Sequence, residues 1–367
     1  MPLPSAFRAV SFHDLPGWAE DSLSPAYAAF RRSAFQVLAK PYHTGSLGIV
    51  CEAFADAFEE ARGLDTLTDA AARDFFERHF RPIHIPGAEG GHGFVTGFYE
   101  PEVEASPVRT DRFGVPLLAR PADLVDIDDA NHPAGMDPYL AFGRNTPDGL
   151  QEYFDRKAIE QGALSGQGLE IAWLADPVDA FFIHVQGAAR LRMTDGTLRR
   201  LTYAAKSGQN FSGPGRILAN LSEIPLEKVT MQSIRAWFSE NPHRINEILW
   251  QNRSYIFFGE TPIGDPELGP VAAAKVQLTP GRSIAVDRLF HTFATPFFID
   301  APSLTAFDGM PFRRLMIAQD TGSAIVGQAR GDLFAGSGHD AGEIAGGIRH
   351  EADFYALVPR VLAGEAA

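Results

Sequence analysis

Asp320 and Asp332 stand twelve residues apart in Ala318-Gln-Asp-Thr-Gly-Ser-Ala-Ile-Val-Gly-Gln-Ala-Arg-Gly-Asp-Leu-Phe-Ala-Gly-Ser-Gly338, a run of glycines and small residues. Glycine lets the backbone take positive φ and lets another chain approach closely, so isolated carboxylates in such a run suit a substrate-facing wall better than a packed core. A third aspartate, Asp287, lies upstream beside Arg288, where a structural ion pair is expected. Two carboxylates are what ordinary glycoside hydrolysis needs, one acid and one base or nucleophile. They are also what an aspartic protease needs, and Asp320-Thr-Gly-Ser323 matches its tetrad; a second Asp-Thr/Ser-Gly is absent, so that chemistry would require a homodimer. Side-chain donors and acceptors recur along the chain, among them Thr96, Tyr99, Gln186, Tyr203, Lys206 and Asn210. Lys206 is one of only five lysines, which makes it a candidate partner for a substrate carboxylate. No His, Asp or Glu cluster has the spacing of a zinc or calcium site, and neither metal nor cofactor is expected.

The elements that must position these residues fall into three textures. The first eighty residues read as helices. Ser22-Leu-Ser24-Pro25 offers a Ser N-cap and an early Pro before an amphipathic run to Leu38. Ile49, Phe54, Ala57 and Phe58 keep helical spacing over residues 47–62. Thr68 caps a third helix whose Ala72, Phe75, Phe76 and Phe80 form a core stripe that Pro82 ends. From about residue 104, short apolar runs alternate with Asp-, Pro- and Gly-rich turns, including Gly168–Leu174 and Ala180–Val185. Asp195-Gly196 marks a hairpin, and His184 reads as a strand histidine with its hydrogen bonds satisfied. Thr230 caps a helix with Ile234, Trp237 and Phe238 on one face, and a second helix runs through Ile248. The remainder is strand-like to Val358. A net charge of −14 argues against a nucleic-acid partner, whose binding rests on clustered Lys and Arg. The single cysteine, Cys51, excludes an intramolecular disulfide and reads as a buried small hydrophobe. No stretch is apolar and long enough to span a membrane or to form a signal-peptide core.

The three aspartates, with Ala-Ile between the second and third, resemble the 3D domain that closes the MltA family of lytic murein transglycosylases. Four further segments resemble that family in order: Thr96-Gly-Phe-Tyr-Glu-Pro101, Val185-Gln-Gly-Ala188, Tyr203 to Asn210, and Asn252 to Phe258. The resemblance implies a mainly β protein with N-terminal helices. A double-psi β-barrel would be built from residues 1–103 and 242–367, with the 3D segment at about 270–350. A smaller β-barrel at 104–241 would be inserted, with a groove between the two. It implies cleavage of the β-1,4 bond between N-acetylmuramic acid and N-acetylglucosamine in peptidoglycan, leaving a 1,6-anhydromuramic end. Because the sugar's own C6 hydroxyl attacks, one carboxyl can serve as acid and then base. Asp332 in Asp-Leu-Phe-Ala-Gly336 matches the family's catalytic aspartate, and Asp320 is its neighbour, either catalytic or structural. Thr96, Tyr99, Gln186, Gly187, Tyr203, Lys206 and Asn210 are the implied glycan contacts, with Tyr99 also placed to stack on a sugar face. The implied setting is the periplasm or outer membrane; the protein is expected to be a monomer, with peptidoglycan strands and other cell-wall enzymes as partners. A non-catalytic polysaccharide-binding barrel and a water-using muramidase remain alternatives.

Overall fold

The computed structural model describes residues 7–128, 130–137 and 140–363. It divides into two compact units, one formed by Met1–Tyr99 with Gly264–Ala367 and the other by Glu100–Ile263.

In the first unit three helices, α1 (Ser24–Gln36), α2 (Ala55–Gly63) and α3 (Asp69–His79), pack an aromatic cluster against the sheet. Phe30 sits 5.3 Å from Phe58 and 5.8 Å from Phe80 between ring centroids, and all three are buried, as the apolar spacing predicts. Thr68 caps α3 by accepting from the Ala71 amide at 3.3 Å. The start of α1 is different from the expected serine cap. Asp69 of α3 accepts from the Ser24 amide at 2.8 Å and from the Ser22 hydroxyl at 2.9 Å. A carboxylate borrowed from a neighbouring helix satisfies the free donor and also complements the positive end of the α1 dipole.

Six strands form the barrel of this unit: β1 (Gly93–Glu100), β2 (Ser283–Val286), β3 (Pro296–Ala301), β4 (Phe312–Asp320), β5 (Arg330–Ser337) and β6 (Arg349–Pro359). Their hydrogen-bonded order is β6-β3-β4-β2-β5-β1, and β1 pairs in turn with the beginning of β6, which closes the circuit. Closure leaves no free edge in the circuit. Every residue of β2 and β3 is buried, Ser283 and Asp300 included. Buried polar bonds tie the N-terminal segment to β4. Arg282 donates to both oxygens of Asp21 at 2.7 and 2.8 Å, and the Leu315 amide donates to Asp21 at 2.7 Å. The Gln319 amide donates to the Ala29 carbonyl at 2.7 Å and to Ser33 at 2.9 Å, while Ser283 donates to its oxygen at 2.6 Å. The segment read as strand up to Val358 also contains a helix, α4 (His339–Gly347). Gly342 explains how it seats, since a Cβ there would come within 2.9 Å of the Tyr99 ring.

The second unit extends past the expected boundary at residue 241 to Ile263. Ile248 and Leu249 pack with Phe181, Phe182 and Trp237, and the Ile256–Thr261 strand pairs with Leu198–Lys206. That pair continues through Ala188–Met193 to Glu102–Ala105, and Val115–Leu118 pairs separately with Glu170–Leu174. Two single bridges, Ser106 with Trp173 and Ala119 with Phe258, join these sheets edge to edge into a second closed circuit. Leu117, Ala172, Leu191, Leu201 and Phe258 fill it. The Asp195-Gly196 hairpin forms as expected, with Gly196 at φ 85° and Asp195 accepting from the Thr197 amide at 2.9 Å. Glu100 is fully buried and is neutralised by Arg200 at 2.7 Å and Arg190 at 3.2 Å.

One reading is overturned here. Ala180–Val185 lies in a helix, Pro177–Gln186, and not in a strand. Asp176 accepts from the Val178 amide at 2.7 Å, Pro177 takes the first turn, and Gly187 ends the helix at φ 74°. Those three residues are a start and stop signal that outweighs the β-favouring composition between them. His184 is therefore a helical residue. Arg156 donates to its Nδ1 at 3.0 Å, and burial, reinforced by the Arg156 charge, holds the ring well below its ordinary pKa and so neutral.

Candidate active site

The strand register brings the two aspartates together. Ala285 of β2 lies opposite Asp320 of β4 on one side and opposite Asp332 of β5 on the other. Residues opposed in register point to the same face, so the carboxylates share that face across two strand spacings, about 10 Å between backbones.

On the far side of Asp332 lies β1. Thr96 donates its hydroxyl to Asp332 Oδ1 at 2.6 Å and accepts from Arg330 Nη2 at 2.7 Å. Arg330 also donates through Nη1 to the Gly331 carbonyl, and its guanidinium lies 5.7 Å from the Phe94 ring centroid. Arg330 and Asp332 are alternate residues of one strand, so both face the same side; that i, i+2 spacing is the signal in the sequence for Arg330, which is not among the residues singled out there.

Burial pushes the Asp332 carboxyl above the usual carboxylate range, while the Thr96 hydrogen bond and the Arg330 charge pull against it. Burial also pushes Asp320 up, to about 6, against the amides of Thr321 and Ala273 and with help from the Asp332 charge. Both carboxyls are thus raised toward the range a general acid needs. Asp320 accepts at Oδ1 from the Ala273 amide at 3.2 Å, and backbone amides are the groups that pull its value down. Asp320 thus holds backbone, whereas Asp332 is held by a side-chain hydroxyl and its Oδ2 makes no hydrogen bond among the described residues.

Asp287 is structural, but not through the expected ion pair. It accepts from the amides of Leu289 at 2.9 Å and Gly327 at 2.8 Å, pinning two loops together. Arg288 instead donates to the His291 and His43 carbonyls and covers the Phe293 ring. Tyr99 is 7% exposed with its ring against Gly342, so it packs the α4 helix and does not offer a face for a sugar.

The remaining sequence candidates belong to the second unit. Gln186 and Gly187 end the Pro177–Gln186 helix, and a Cβ on Gly187 would lie 3.9 Å from that of Tyr203, so these residues are neighbours. Tyr203 is 46% exposed, unlike Tyr99, and so has an open surface. Lys206 is partly buried opposite Ile256 at the end of its strand, and Asn210 is exposed. Asn252 is buried and accepts from the amides of Ser212 at 3.1 Å and Ser254 at 3.2 Å, a scaffold role.

Two family profiles match the chain, the MltA specific insert domain over residues 94–259 and the 3D domain over residues 282–358. The membrane-bound lytic murein transglycosylase A of Escherichia coli K12 is 30% identical over 280 residues, covering 74% of this chain and 68% of that protein. Its counterpart in Vibrio cholerae is 29% identical over 269 residues, covering 72% and 65%. The chain thus spans about two thirds of the length of these curated relatives. Among solved structures, a membrane-bound lytic murein transglycosylase from Agrobacterium tumefaciens superposes with a TM-score of 0.92 at 49% identity, over 97% of this chain and 98% of that one. MltA from Neisseria gonorrhoeae superposes with a TM-score of 0.80 at 30% identity, over 97% and 94%.

Proposed function

Because the chain belongs to the MltA family of lytic murein transglycosylases, we propose that it cleaves the β-1,4 bond after N-acetylmuramic acid in peptidoglycan and leaves a 1,6-anhydro end. The observation that carries this reading is the Thr96–Asp332 hydrogen bond, which joins two family motifs 236 residues apart at a carboxyl whose pKa burial raises. An aspartic acid in water has a pKa of about 3.9 and is a poor acid near neutral pH, so burial equips Asp332 to hold a proton.

The proposed reaction uses that one group twice. Asp332 gives its proton to the departing glycosidic oxygen, then takes a proton from the C6 hydroxyl as this attacks C1 of the same sugar. Intramolecular attack gains from proximity, with effective molarities of about 10⁵ M or more in well-oriented cases, so no positioned water or protein nucleophile is required. Asp320, with its pKa near 6, supports the site by holding the adjoining backbone. Gln186, Gly187, Tyr203, Lys206 and Asn210 are proposed as glycan contacts in the second unit, with Tyr203 as the stacking surface. The cell envelope is the corresponding place of action; among the described residues no helix is long and apolar enough to cross a membrane.

Digestion of purified murein in ¹⁸O-water, followed by mass spectrometry, tests this. Unlabelled products ending in 1,6-anhydro-N-acetylmuramic acid are expected. Label at a reducing muramic end would make the protein a hydrolase, and bound but uncleaved murein would make it a binding protein.

A further inference from the structure

A threonine hydroxyl has one proton to donate and two lone pairs to accept with, and by itself does not determine which role it plays toward a neighbour. A guanidinium can only donate. Arg330 Nη2 donates to Thr96 Oγ1, and that hydroxyl donates its single proton to Asp332 Oδ1. The direction of the chain Arg330, Thr96, Asp332 is therefore fixed at its far end. Arg330 is itself held in place by its bond to the Gly331 carbonyl and by the Phe94 ring beneath it.

We propose that Arg330 is a positioning residue for Asp332: acting through Thr96, it reserves Oδ1 as an acceptor and leaves Oδ2 as the oxygen that carries the catalytic proton. This rests on the reading of Asp332 as the acid/base. The interposed hydroxyl matters because a direct Arg–carboxylate pair would favour the ionised form and defeat a general acid. Through Thr96, Arg330 orients the carboxyl with only its longer-range charge opposing protonation. Other charged groups nearby are Asp320 on β4, Arg349 opposite Thr96 on β6, and His339, Asp340 and Glu343 on α4, the last four exposed or partly so at the surface. β2 presents no charge between the two aspartates.

Arg330→Gln, Thr96→Val and the double variant test the chain, read by ¹³C-carboxyl NMR titration of Asp332 in the free protein and by pH profiles of kcat and KM. Loss of the Arg330 charge should move the Asp332 midpoint upward. The high-pH limb of kcat, where the acid form is lost, should move up with it. Mispositioning of the carboxyl should lower kcat at the optimum about 10–100-fold with KM little changed. The double variant should be no worse than Thr96→Val, since one residue acts through the other, and Thr96→Ser should retain most of the rate. An unmoved midpoint with unaltered kcat, or additive losses in the double variant, would overturn the proposal. If a variant loses its folded circular-dichroism spectrum, Thr96→Ser and Arg330→Lys carry the comparison, the lysine keeping the midpoint near wild type. The NMR titration does not depend on turnover, so a failure of the transglycosylase reading, seen as an active Asp332→Asn, stays distinct from a failure of this one.

Discussion

Replacing Asp320 by asparagine should make the protein more stable, and only at neutral and alkaline pH. Burial holds the Asp320 carboxyl at about 6 in the folded chain, above the 3.8 of an exposed aspartate. Between those values the folded state binds a proton that the unfolded state has released, so stability falls as pH rises through the window. Below about pH 3 both states are protonated and the penalty vanishes. Above about pH 7 it is complete. A difference of about two pKa units is worth about 3 kcal/mol, taking 1.36 kcal/mol per unit. Asparagine carries no such penalty and its carbonyl oxygen still accepts from the Ala273 amide. The difference between variant and wild type should therefore grow from near zero at about pH 3 to at most about 3 kcal/mol at pH 8. Urea unfolding at several pH values measures it. Groups common to both proteins cancel in the difference, whereas absolute values for a two-unit protein need not follow a single transition. A pH-independent difference, or a variant less stable at pH 8 than wild type, would refute the assignment of Asp320 as a strained, backbone-holding carboxylate.

Asp332→Asn should cut kcat by about 100-fold or more, the scale of lost general acid–base catalysis, while calorimetric affinity for uncleaved glycan stays close to wild type. Asp21→Ala should cost about 3–5 kcal/mol in urea unfolding, because it leaves Arg282 and the Leu315 amide buried without their shared carboxylate; a loss below 1 kcal/mol would mean that water replaces it. Gly187→Ala should destabilise the second unit by about 1–2 kcal/mol, the cost of a left-handed conformation at a residue with a Cβ, since Gly187 sits at φ 74°.

The helices with local signals could be read directly from the chain. Thr68 and Thr230 cap the helices they were expected to cap, and Asp195-Gly196 makes its hairpin, because each of those bonds joins residues two or three positions apart. Asp320 and Asp332 were singled out by type and spacing, and Thr96 by the resemblance of its segment to a family motif. What the order of residues could not express is that Ala285 separates the two aspartates, that Thr96 is the hydrogen-bond partner of Asp332, and that Arg330 stands behind it. Those relations depend on strand register, and register is set by how the whole barrel closes and buries β2 and β3, not by any one segment. The same holds for Tyr99 and Tyr203. Both are tyrosines in motif-like segments, but packing against α4 buries the first while the second keeps nearly half its surface open, a difference that only tertiary packing decides.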